Sequence, residues 1–265
     1  MINYRKLLDN LQKGIDKKIQ DFADAKAAQA AQNGIASMGQ FEPVLDGILN
    51  TCKFIKSTNK ILVICKEANS PNDGGWNYRE IKLCNDMFFG LLNRVAKGIL
   101  YGNTDYEIGE YLGDQAPIYE IAFTNISNLP GGSVVGLQGT LYSLYIENSR
   151  ILEAKLRAYS PDTIICGNVC ELIWPSIVKA LDIEKNYTSK YFSENGEQMS
   201  SGYGNSVAVY YCTATSGRQI TVIDAYHPRQ RRISKDNWVL GIVNAEKNKP
   251  KCPTIVTDIA SDYAF

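Results

Sequence analysis

The chain has a single histidine, His227, within Ala225-Tyr226-His227-Pro228-Arg229-Gln230-Arg231-Arg232. The same stretch carries the densest basic cluster and follows Ile220-Thr221-Val222-Ile223-Asp224, which reads as a strand. An imidazole at a strand end can act as acid, base or hydrogen-bond donor near neutral pH. Arg229, Arg231 and Arg232 suit phosphates, because a guanidinium fork grips them in pairs of hydrogen bonds and positions nucleic acid without reading its sequence. Glu67 lies two residues past another apolar run, Ile61-Leu62-Val63-Ile64-Cys65. A carboxylate there can be a general base, a counter-charge for a cationic transition state or a structural ion-pair partner. Asn125 closes a third strand candidate, Ile118 to Phe123; its carboxamide offers donor and acceptor together, fit either to read the edge of a base or to cap a loop. Trp76 and Tyr78, between the first strand-end loop and its helix, can stack on an extruded base or cover the core. Phe88 and Phe89 read as core.

These residues need elements that bring them together. Ile61–Cys65 and Asp162–Cys166 are continuous apolar runs, as in strands buried on both faces of a parallel sheet. Helical segments alternate with them: Tyr78 to about Lys97, Leu144 to Tyr159, Val169 to Leu181 with a kink or a break into two short helices at Pro175, and Lys235 to Glu246. Val207–Thr213 and Gln219–Asp224 flank the turn Thr215-Ser216-Gly217-Arg218 and form a hairpin whose second arm delivers His227. Thr254–Val256 is one further strand candidate. The pattern predicts a three-layer α/β/α sandwich with a central, mostly parallel four-stranded sheet. In such sheets ligands bind outside the carboxyl ends of the strands, where Glu67, Asn125 and His227 would meet.

Residues 1–57 read as a helical N-terminal extension packed on a main domain of residues 58–265. One helix carries Leu7, Leu8, Leu11 and Ile15, followed by an Ala/Gln-rich run to Gln32. A second runs from Pro43 to Lys56.

Lys+Arg and Asp+Glu both number 28, so polyanion binding must come from a local patch rather than from net charge. Cys52, Cys65, Cys84, Cys166, Cys170, Cys212 and Cys252 include no CxxC pair and no zinc set. Their odd number, with no secretory segment, points to a reducing cytoplasm. No apolar run approaches the roughly 20 residues needed to span a bilayer.

Four segments in order resemble the uracil-DNA glycosylase superfamily. Ile61-Leu62-Val63-Ile64-Cys65-Lys66-Glu67-Ala68-Asn69 is similar to the motif in which a strand ends in an acidic residue that assists attack at the sugar. Phe123-Thr124-Asn125 is similar to the strand ending in the asparagine that reads the base. Tyr159-Ser160-Pro161-Asp162-Thr163-Ile164-Ile165-Cys166-Gly167 is similar to a third family segment, and Tyr226-His227-Pro228 to the His-Pro of the last. Lys66 stands where the family has glycine, and Arg229 where it has serine. The resemblance implies a divergent, monofunctional DNA glycosylase of the base-excision repair type, needing no metal or organic cofactor. Glu67 and His227 would be catalytic. Asn125, Trp76, Tyr78, Ala68 and Asn69 would hold the flipped base, and Arg229, Arg231 and Arg232 the DNA backbone. A catalytically inactive DNA-binding module of the same fold and a nucleoside N-glycosidase are the alternatives.

Overall fold

The computed structural model describes residues 2–33, 42–69, 74–131, 138–192, 197–199, 207–229 and 233–249. Helix α1 (Ile2–Gln32) leads to a two-residue strand β1 (Gly47–Ile48) and a short helix α2 (Thr51–Lys56). Strand β2 (Ile61–Asn69) is followed by α3 (Phe89–Tyr101), a 3-10 turn (Pro117–Glu120) and β3 (Ala122–Gly131). Next come α4 (Gln138–Tyr159), β4 (Thr163–Gly167), α5 (Cys170–Leu181), β5 (Ile183–Phe192) and β6 (Gln198–Met199). The hairpin β7 (Val207–Ala214) and β8 (Gln219–Ala225) precedes α6 (Lys235–Lys247).

The strands form one sheet in the order β1-β3-β2-β4-β8-β7-β5-β6. The central β3-β2-β4-β8 run is parallel, and the flanking pairings are antiparallel. The sheet is therefore mixed and has eight strands, not the four expected. The strands that sequence reading did not find are β1, β5 and β6, of which β5 and β6 are polar in sequence. β5 lies between β7 and the edge strand β6, and backbone pairing of this kind needs no apolar side-chain set.

Alternation along the central strands divides the core. Ile61, Val63 and Cys65 face Leu91, Leu92 and Val95 of α3 and Trp238, Val239 and Ile242 of α6. Leu62 and Ile64 face Leu8, Ile15 and Ile19 of α1, Leu152 and Leu156 of α4, and Ile173 and Ile177 of α5. Each fully buried Leu or Ile contributes about 1.5–3 kcal/mol of transfer free energy. On α1 the buried side is Leu8, Ile15, Ile19 and Ala23, while Leu7 and Leu11 face outward.

Four other expectations are corrected. The helix expected from Pro43 to Lys56 is present only as α2. Upstream of it the chain runs beside β3: Val44 donates its N–H to the Asn128 carbonyl, and Gly47 pairs with Phe123. Gly47 has φ +127°, and a Cβ there would overlap the Gln12 side chain and the Tyr159 hydroxyl, so helix periodicity cannot continue through it. The helix expected from Tyr78 starts only at Phe89, because Asp86 Oδ1 accepts the N–H groups of Phe88 and Phe89 and caps it there. Ile118 belongs to the 3-10 turn, and β3 runs on to Gly131, so Asn125 lies inside a strand rather than closing one. Pro175 lies within a single helix α5, so the break into two short helices does not occur. The strand expected at Thr254–Val256 lies outside the described residues.

Candidate active site at the carboxyl edge of the parallel strands

Parallel pairing sets Cys65 of β2 level with Asn125 of β3, and Glu67 level with Ser127. By alternation Glu67 and Asn125 share the face covered by α3 and α6. The register breaks just after Glu67, so that Ala68 pairs with Pro130 and Asn69 with Gly131. Glu67 is thus within β2. Burial raises its pKa above the ordinary carboxylate value, with Lys66 opposing, so the carboxylate is a stronger base than a solvated one. The backbones of Ala68 and Asn69 extend the strand; their side chains are outside the described residues.

Asn125 is 3% exposed; its Nδ2 makes no close hydrogen bond, and the group it faces is the Tyr78 hydroxyl, whose pKa burial raises and the amide, more weakly, lowers. The Asn125 backbone is held firmly. Asp46 accepts the Asn125 N–H at 2.8 Å and the Asn128 Nδ2 at 2.8 Å. Lys155 of α4 donates to Asp46 at 2.7 Å, to Thr124 Oγ1 at 2.7 Å and to Asn128 Oδ1 at 3.0 Å. Gln12 of α1 donates to the Asp46 carbonyl and accepts the Tyr159 hydroxyl. Asp46 and Lys155 are fully sealed, at 0% and 1% exposed. Sequence reading missed both, although a lone aspartate inside Val44-Leu45-Asp46-Gly47-Ile48-Leu49 is a visible anomaly.

His227 sits two residues beyond β8. Trp238 of α6 donates to the Tyr226 carbonyl at 2.9 Å and anchors the turn. Pro228 packs over Gly167 at the end of β4: a Cβ on Gly167 would lie 2.9 Å from Cys65 Sγ and 3.6 Å from Pro228 Cδ. The imidazole stacks on Phe88 with centroids 5.7 Å apart. Phe88 packs edge-on against Phe123, and Phe123 against Tyr78 at 5.1 Å. One aromatic wall therefore runs from the histidine to Tyr78, whose hydroxyl lies beside the Asn125 amide, and Phe88, assigned to the core from its spacing, is the ring that carries His227. The Arg229 N–H donates to His227 Nδ1 at 3.2 Å, which leaves the ring proton on Nε2. Burial, then the charges of Lys66 and Arg229, lower the histidine pKa to about 4. The ring is neutral at physiological pH and presents an N–H donor.

Tyr78 is 8% exposed and packs edge-on against Trp76 at 4.5 Å. The Arg229 guanidinium pairs with Asp86 at 3.2 Å and lies 6.0 Å from the Phe88 ring centre. It closes over the aromatic wall instead of standing free. Arg231 and Arg232 lie outside the described residues. Among the described residues, no group of three or more His, Cys, Asp or Glu side chains is placed to hold a metal ion, and no helix is long and apolar enough to cross a membrane.

On the opposite face of β8, burial and then Glu171 raise the Asp224 pKa to about 7. Its folded pKa exceeds its unfolded value, so the stabilisation is complete at acid pH and is lost as pH rises through about 7. Asp224→Asn is expected to raise Tm by roughly 5 °C at pH 8, corresponding to on the order of 2 kcal/mol, and to change it little at pH 4. Calorimetry at the two pH values checks this; equal shifts at both would contradict it.

No family model matches the chain, and no curated protein matches it. Among solved structures, it is similar to a domain of unknown function (DUF1537) from Bordetella bronchiseptica, a domain-swapped dimer with bound citrate. The identity is 8% and the TM-score 0.32, over 74% of this chain and 43% of that one.

Proposed function

We propose that the site takes an extruded nucleobase from DNA and promotes hydrolysis of its N-glycosidic bond, with uracil or a damaged base as the substrate. The observation that carries this reading is the buried Asn125 amide beside the Tyr78 hydroxyl, with one aromatic wall running from Tyr78 through Phe123 and Phe88 to a neutral histidine. A base carbonyl would accept from the Asn125 amide, and chemistry on a base requires it out of the stack. As the bond breaks, negative charge grows on the leaving base. The Nε2–H of His227 would donate to that developing charge, and a neutral donor does so without having to lose a proton first. Positive charge grows on the sugar, where Glu67 would stabilise it or orient the attacking water. Trp76 and Tyr78 would line the base pocket with Ala68 and Asn69. Arg229, Arg231 and Arg232 would meet the backbone phosphates, Arg229 by exchanging Asp86 for a phosphate.

The test is release of free base from uracil-containing single- and double-stranded DNA. Release lost on His227→Ala supports the assignment. Salt-sensitive DNA binding with no release would replace it with the inactive binding module. Turnover of free nucleosides, unaffected by Arg231→Ala, would replace it with a nucleoside hydrolase.

A further inference from the structure

We infer that Asp46, neutralised by Lys155, is a positioning residue that sets how tightly Asn125 binds a base; this rests on the reading of Asn125 given above. The geometry follows from a break in the sheet. β1 pairs with β3 only at Ala122 and Phe123, and the next contact on that side is the Val44 N–H on the Asn128 carbonyl. Between them, the Asn125 N–H points to where β1 has turned away at Gly47. The Asp46 carboxylate fills that place at 2.8 Å. A strand N–H held by a carboxylate instead of a neighbouring strand has a shorter, charge-assisted bond.

Every donor of Lys155 is used, on Asp46, Thr124 Oγ1 and Asn128 Oδ1, so the carboxylate has little freedom to move. The network grips residues 124, 125 and 128 of β3, while the Asn125 amide lies on the opposite face, beside the Tyr78 hydroxyl. This is the arrangement of a rigid mount below and a side-chain amide above. A buried charge pair is costly to desolvate, and an apolar pair of equal volume would serve stability as well. What an apolar pair lacks is an acceptor for the Asn125 N–H.

Two uncharged double variants separate the roles. Asp46→Asn/Lys155→Met keeps an acceptor for the Asn125 N–H, whereas Asp46→Val/Lys155→Met removes it. On uracil-containing DNA the second is expected to raise KM by about tenfold or more with a much smaller change in kcat, and the first to restore KM to within about threefold of wild type. Equal KM values in the two variants overturn the inference. So does failure of Asp46→Val/Lys155→Met to fold while the other folds, since the contact is then structural only. If wild type releases no base, the glycosylase reading fails, and the Asn125 side-chain amide resonances decide the positioning role separately. One sharp pair shared by wild type and the acceptor-keeping variant, but shifted or broadened in the other, supports it; identical spectra in all three overturn it.

Discussion

His227→Ala is expected to lower the rate of base release by about 10²–10³-fold, the effect of deleting one donor aimed at developing negative charge. Glu67→Gln is expected to cost about 10²–10⁴-fold, the range for a general base. The pH dependence distinguishes the two. With its pKa lowered to about 4, His227 is neutral throughout the neutral and mildly acid range, so it contributes no activity loss near pH 6.5. Glu67 must be ionised to act, and its raised pKa puts the acid limb of kcat/KM above the ordinary glutamate value. That limb should persist in His227→Ala and vanish in Glu67→Gln. A limb near 6.5 that disappears in His227→Ala would show an ordinary, titrating histidine and overturn its role as a neutral donor. The same lowered pKa has a stability consequence. The unfolded chain takes up the imidazole proton before the folded one does, so this contribution is complete above about pH 6.5 and is lost as pH falls towards 4.

Lys155→Met is expected to destabilise the fold by about 3–5 kcal/mol, because it leaves the Asp46 carboxylate buried with its hydrogen-bond donors but no counter-charge. Denaturant unfolding of the single variants and of Asp46→Asn/Lys155→Met measures this. The double variant should be more stable than the sum of the single losses predicts, since its carboxamide can still accept the Asn125 and Asn128 N–H groups and no lone charge remains. Simple additivity would mean that the two residues do not act as a pair.

The parallel strands were legible because Ile61–Cys65 and Asp162–Cys166 are continuous apolar runs, which sheet burial on both faces demands. The hairpin leading to His227 was legible from its Gly217 turn. What failed did so for local physical reasons. The Pro43–Lys56 region has helix-like apolar spacing, but a positive φ at Gly47 and a side chain substituting for a strand partner redirect it. Strand β5, between β7 and the short edge strand β6, has a mostly polar sequence, so apolar patterning does not announce it. Asn125 was found, yet its supports were not: Asp46 and Lys155 lie 109 positions apart, and no local pattern announces such a contact. Phe88 looked like core because it is core; that the same ring also carries an imidazole depends on a turn some 140 residues later, beyond the reach of any window of sequence.

The bond between Gln12 and Tyr159 spans 147 positions. At a synthesis rate of about 5–20 residues per second, α1 leaves the ribosome on the order of ten seconds before Tyr159 is made. For that interval Leu8, Ile15 and Ile19 lack the α4 surface that buries them. Helix α1 can therefore meet its nearer partners, Asp46 through Gln12 and Arg79 through Asp16, well before α4 is made to complete its burial.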